Sequence, residues 1–293
     1  IFGRPVIDFI RRLIFSLSNV DDVNVENAKF IQGLGIIEGE LPSPIDLDIS
    51  KMTPINLAPL QWIYYDVAPR KLKITNTGQT GNKFLIFQPY ITGGPLNGNY
   101  VFSQMHFHWG ETEMYGSEHR ADGANTPMEL HVVHFKTQYL NFEQALRQVD
   151  GVIIILQTFS NIFLKEIVSA LPSIKVANSS IRLVPIVLTN IFKPFTEDYF
   201  VYWGSTITPQ WTRRIMWLVC REPIDEFRIL YDESTKPILG NCRAIQNREN
   251  RHIFHVRPSG SFHYEIIVNL FCRIAYLQTG TQILRPSLVL FEY

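Results

Sequence analysis

In SQMHFHW (103–109) and ELHVVHF (129–135) polar and apolar side chains alternate, and five of the eight histidines crowd between His106 and His134. Strand side chains point to opposite faces with period two. Gln104, His106 and His108 therefore share one face of the first run, and Glu129, His131 and Val133 share one face of the second. If the two strands are neighbours, His106, His108 and His131 converge. His134 falls on the other face and could join them only through a bulge. This pairing fixes a sheet as the frame on which any function must be built.

The rest of the chain agrees with a sheet. RKLKITNTGQ, NKFLIFQPYI, MELHVVHF and GVIIILQTF are rich in β-branched and aromatic residues, and NTGQTGN, TGGPLNGN and YGSEHRADGAN supply turn signals between such runs. Only FEQALRQV, FLKEIVSALPSI and the N-terminal IDFIRRLIFSLSNV read as helices. The fold class expected is β-dominated, with peripheral helices and no internal repeat. The chain opens with Ile1, so its natural start is expected upstream.

Three neutral imidazoles without a thiolate suit zinc, and a three-histidine set leaves a fourth tetrahedral position open, as catalytic rather than structural sites do. The cysteines cannot supply a cluster: Cys220, Cys242 and Cys272 are scattered, with no C-x-x-C spacing. A single strand histidine is usually a core or surface residue; three on matching faces, with Gln104 and Glu129 beside them to orient the rings, are harder to explain that way. His119 and His134 are assigned structural roles, and His252, His255 and His263 are incidental. Two other histidine–metal families fail on spacing. A cupin needs P-x-G-x-x-H where this chain has PMELH, and a β-lactamase-type hydrolase needs H-x-H-x-D-H where it has HFHWGETE.

Lys+Arg and Asp+Glu both number 27. A balanced surface offers no general attraction to nucleic acid or to an anionic membrane. The apolar run IIVNLFCRIAYL is too short and too polar to span a bilayer. The triplet Asn178-Ser179-Ser180 is a glycosylation sequon that means little alone.

The blocks MHFHWG, YGSEH and MELHVVHF resemble the signature of the α-class carbonic anhydrases. The resemblance continues in order through GELPSPIDLD, GGPLNGNY, DGVIIIL, YWGSTITPQ, MWLVCREPI and NCRAIQNRENR, from about Gly39 to Arg251. It implies a large, twisted, mostly antiparallel sheet carrying zinc at the bottom of a cone-shaped pocket. The domain is expected over 35–256, with an N-terminal extension (1–34) and a divergent tail (257–293). The implied reaction is the reversible hydration of carbon dioxide to bicarbonate by a zinc-bound hydroxide. Zinc ligation falls to His106, His108 and His131, ring support to Gln104, Glu129 and Asn241, and the apolar wall to Val133, Ile154, Ile215 and Trp217. Asn76 and Asn82 match polar pocket positions.

Two positions depart from the family's pattern. Ile207 stands where the family has a threonine that links the hydroxide to the glutamate matching Glu118, and Thr206 and Thr208 flank the gap. Gln79 stands where the family has a proton-shuttling histidine, and glutamine does not titrate near neutrality. The resemblance thus implies either a slow zinc enzyme or a related binding or adhesion protein that retains zinc. A monomer is favoured. The compartment stays open between cytoplasmic and secreted, since the cysteines of the family's extracellular disulfide are absent.

Overall fold

The computed structural model describes residues 22–36, 41–76, 88–110, 115–158, 167, 169–192, 194–195, 198–207, 212–220, 242–248 and 250–258. Among them are thirteen strands. These are β1 (Asp46–Leu47), β2 (Thr53–Leu57), β3 (Leu60–Ile63), β4 (Leu72–Thr75), β5 (Tyr90–Gly93), β6 (Tyr100–Trp109) and β7 (Arg120–Ala121). After them come β8 (Met128–Lys136), β9 (Val152–Gln157), β10 (Ser180–Leu183), β11 (Tyr199–Ile207), β12 (Thr212–Val219) and β13 (Ile253–Pro258).

Nine of them form one sheet in the order β2-β13-β11-β12-β9-β8-β6-β5-β3, while β1 pairs with β7 and β4 with β10. All neighbours in the large sheet are antiparallel except β12–β9 and β13–β2. Strands β2 and β3 hold opposite edges, yet only Ala58 and Pro59 separate them. Three residue steps reach at most about 11 Å. The sheet must therefore coil until one corner of each edge nearly meets, as the right-handed twist of strands allows.

Alternation divides the side chains between two cores. Leu130, Val132, Ile155, Met216 and Leu218 belong to the larger one, and Val133, Ile154, Ile215 and Trp217 to the smaller one on the opposite face. In β6 the register slips between Phe102 and Gln104, so Ser103 is an extra residue opposite a single step of β8. A bulge therefore exists, but in β6, across from His134 and Val133, and it leaves His134 facing away from the other three histidines. Beyond it His106 pairs with His131 and His108 with Glu129.

The two short helices differ in how legible they are. FEQALRQV is helical over α2 (Phe142–Ala145), started by Asn141, whose side chain accepts the Gln144 N–H at 2.9 Å. FLKEIVSALPSI is described only in part, ending in a 3-10 turn at Leu171–Ile174. IDFIRRLIFSLSNV lies outside the described residues.

A helix not expected from the pattern, α1, spans residues 22–34. Its inner positions are Asn24, Ala28 and Ile31, spaced by four and three residues, and Ile31 is fully buried in the larger core. The Trp203 indole donates to the Ile31 carbonyl at 2.7 Å, and Arg214 donates to that of Gly35 at 2.6 Å. A Cβ on Gly35 would sit 2.5 Å from the Trp203 ring, so only glycine lets the chain pass. Among the described residues no helix is long and apolar enough to cross a membrane.

His134 faces the larger core and is fully buried. Its Nδ1–H donates to the Val132 carbonyl at 3.1 Å, so Nε2 accepts the Tyr65 hydroxyl. Burial pulls its pKa down to about 3, against the opposing pull of the Val132 hydrogen bond. Between its ordinary value of 6.5 and about 3 the unfolded chain binds one more proton than the folded one, so acid destabilises the fold across that window. Below pH 6.5 the loss is about 1.4 kcal/mol per pH unit from this group. Urea unfolding of the metal-free protein from pH 7.5 to 5 is expected to show that slope, and His134→Gln should flatten it by the same amount.

Candidate metal centre

The bulge-corrected register brings three imidazoles into one cluster. Ring centroids lie 5.2 Å apart for His106–His108, 5.0 Å for His106–His131 and 4.5 Å for His108–His131. One nitrogen from each falls within 4.8 Å of the others. His131 Nδ1 faces His106 Nε2 at 3.2 Å, while His131 Nε2 is hydrogen-bonded to the Glu129 carboxylate. A carboxylate accepts, so Nε2 carries the proton and Nδ1 of neutral His131 presents a lone pair.

Burial, then the neighbouring His131 and His108, push the His106 pKa well below its ordinary value and keep that ring neutral. If His106 carries its proton on Nδ1, two lone pairs meet across 3.2 Å; if on Nε2, its buried Nδ1 is an acceptor without a donor. His106 Nδ1 and Gln104 Oε1 both lack a hydrogen-bond partner among the described residues, so the expected Gln104–His106 pair is not made. A divalent cation among the three inward nitrogens would remove the conflict. The donor set therefore fits a zinc-type ion.

Glu129 is fully buried and serves two histidines, not one. It accepts from His131, and from the backbone N–H and Nδ1 of His119 at 2.8 and 2.9 Å. His119 Nε2 then accepts the Tyr202 hydroxyl at 2.6 Å, and Ser43 Oγ lies 3.0 Å from the same hydroxyl. Burial alone would raise the Glu129 pKa, but His119 and His131 outweigh it and hold the carboxyl well below its ordinary range. Ser43 and Tyr202 carried no sequence signal, because they lie 159 residues from each other and Tyr202 lies 83 from His119. Trp217 lies beneath this row, 4.7 Å from His119 and 4.9 Å from His131 by ring centroid.

Glu118 is buried and clamped by Arg243. The Arg243 backbone N–H and Nε both reach Oε1 at 3.0 Å, and Nη2 reaches Oε2 at 2.9 Å. Burial opposes ionisation, but the Arg243 hydrogen bonds, helped by His108 and His131, bring the pKa down to about 2. Val133, Ile154, Ile215 and Trp217 share the smaller core, and the register aligns Val133, Ile154 and Trp217 across three strands. Asn76 is committed elsewhere, its amide donating to the Ile174 and Lys175 carbonyls.

Pairing of β11 with β12 runs on to Ile207↔Thr212. The β-branched Thr206, Ile207 and Thr212 favour the extended ladder. Alternation from Tyr202 through Gly204 puts Thr206 on the face of the smaller core. Gln79, Asn82, Thr208 and Asn241 lie outside the described residues, as does the Ile207 side chain.

A coiled, mostly antiparallel sheet with a buried three-histidine centre on one face defines a candidate metalloprotein whose metal would sit beside an apolar wall. The model of the eukaryotic-type carbonic anhydrase family matches residues 32–257. The chain is 31% identical to carbonic anhydrase 1 of Oryctolagus cuniculus over 234 residues, 73% of this chain and 98% of that protein. It is also 31% identical to carbonic anhydrase 3 of Rattus norvegicus over 242 residues, 74% and 89% of the two chains. Carbonic anhydrase 5B, mitochondrial, of Homo sapiens matches at 31% over 201 residues, 61% and 60%. This chain belongs to the eukaryotic-type, or α-class, carbonic anhydrase family, which is zinc-dependent in general.

Disturbing the Glu129 bridge should loosen the metal from either side. Glu129→Gln and His119→Leu are each expected to speed zinc release to a chelator by about 10–100-fold, while His134→Gln, on the other face, leaves it unchanged. Chelator-competition kinetics on the zinc-loaded protein check this.

Proposed function

We propose that this chain hydrates carbon dioxide reversibly to bicarbonate at a zinc ion held by His106, His108 and His131. The observation that carries the reading is the convergence of three imidazoles beside an apolar wall. Zinc, when bound, supplies the Lewis acidity that makes a nucleophile of water near neutral pH. Val133, Ile154, Ile215 and Trp217 offer an apolar surface where a small uncharged substrate can rest without competing water. Glu129 holds the proton of His131 on Nε2 and so keeps Nδ1 available as a ligand.

Two residues set the expected pace. Ile207 cannot accept a hydrogen bond from a substrate-activating group, and loss of one such preorganised contact costs about 10²–10³ in rate. Gln79 cannot carry a proton to solvent, so added buffer must do so. Ile207 also favours a second reading, a zinc-retaining member of the family with little activity whose surface serves binding or adhesion. Stopped-flow hydration with zinc-loaded and metal-free protein separates the two: zinc-dependent turnover supports the first, and none in a folded, zinc-loaded sample supports the second.

Turnover is expected to rise with buffer concentration, and Gln79→His should raise it at low buffer. Ile207→Thr is expected to increase hydration by roughly 10²-fold, about 2.7 kcal/mol. An unchanged rate there, together with a fall in Thr206→Val, would assign the hydroxyl to Thr206 instead.

A further inference from the structure

Asn178-Ser179-Ser180 is the one N-x-[S/T] triplet in the chain, and its middle residue is not proline. Such a triplet can accept a sugar chain only where the fold leaves it on an accessible surface segment. Here the fold does so. Val176–Ser179 is a β-turn closed by the Ser179 N–H on the Val176 carbonyl at 3.2 Å, and both Asn178 and Ser180 are exposed. Asn178 is the third residue of that turn and has φ 63°, the left-handed conformation that a turn with positive φ at this position requires. The turn does not depend on the Asn178 side chain for its hold on the protein. Asn76, just after β4, donates its side-chain amide to the Ile174 and Lys175 carbonyls at 3.0 and 3.2 Å, and its backbone N–H to the Ser179 carbonyl at 2.9 Å. The Ser179 hydroxyl donates back to the Val176 carbonyl, and Ser180 opens β10 opposite Thr75.

We propose that Asn178 is an acceptor for N-linked oligosaccharide, a modification made in the secretory pathway. The co-reactant is an oligosaccharide carried on a polyprenyl diphosphate. The Asn178 amide nitrogen bonds to the anomeric carbon of the first sugar, and the bond from that carbon to the diphosphate oxygen breaks. The electron pair leaves with the polyprenyl diphosphate, and the amide gives one proton to a base of the transferase. Nothing is oxidised or reduced. Ser180 supplies the hydroxyl that the transferase reads two residues beyond the acceptor. Because three hydrogen bonds from Asn76 hold the turn and the Asn178 side chain faces solvent, the folded domain accommodates the glycan without rearrangement. The inference does not draw on the zinc reading.

A purely structural role is the competing account, since asparagine tolerates the left-handed region better than most residues. The test separates the two. The full chain is expressed in eukaryotic cells behind a cleavable secretion leader, and both secreted and cell-retained protein are treated with peptide N-glycosidase in heavy-oxygen water. A single enzyme-sensitive mass shift is expected, with Asn178 converted to labelled aspartate in its peptide. Ser180→Ala should abolish the shift although Asn178 and its turn are untouched, and Ser180→Thr should keep it. Asn178→Gly, which retains the turn, should lose the shift and still fold, as judged by circular dichroism. Asn178 unmodified in wild-type protein that has entered the pathway would overturn the proposal, as would a shift that survives Ser180→Ala. The same peptide from protein isolated from the cells that naturally make it should carry the glycan, and an unmodified Asn178 there also rejects it.

Discussion

Glu129 is an anion with no exposure to solvent, and much of the centre is arranged to keep it there. An unpaired buried carboxylate is costly, and removing one partner of a buried charged pair typically destabilises by about 3–5 kcal/mol. Three donors meet it, one from His131 and two from His119, and His119 is held in turn by Tyr202 and Ser43. The chain of hydrogen bonds crosses from β8 through the turn before β7 to β11 and on to the segment before β1. It sets the tautomer of His131 and, with it, which nitrogen faces His106 in the cluster. The same carboxylate therefore joins sheet stability to ligand geometry.

The coil of the sheet supplies the room for this arrangement. Because the edges curl toward each other, one face closes around the larger core with Ile31 of α1 packed into it, while the other face carries the histidines and a smaller core. Ser103, the extra residue in β6, restores phase so that His106 meets His131 directly and Phe102 turns to the larger core beside His134. The bulge keeps one strand in register with both cores.

Chemistry at the centre follows from which groups are tied and which are not. Glu118 is bound by Arg243, and its Oε1 lies 3.4 Å from His108 Nδ1. The extended β11–β12 ladder brings Thr206 onto the face of the smaller core. Together with Gln79, these features underlie the proposal of a family member that keeps three candidate ligand histidines while departing from the family at its proton-handling positions. That combination favours tight metal binding over fast turnover.

Alternation in SQMHFHW and ELHVVHF was enough to group His106, His108 and His131 and to exclude His134, since side-chain parity is a local property of a strand. β-branched runs and turn residues were likewise enough to give the fold class, for the same local reason. The position of α1 against Trp203 was not legible, because its inner face mixes Asn24 and Ala28 with the buried Ile31 and a partly buried Leu34. Nor was the Arg243 clamp, the Tyr202–Ser43 link or the commitment of Asn76 to Ile174 and Lys175. Those depend on contacts between residues 98 to 159 positions apart, and no periodicity encodes such a distance. Sequence alone determined which side chains share a face; the tertiary fold decided which carboxylate each histidine meets, because only coiling of the sheet brings those distant segments within hydrogen-bond reach.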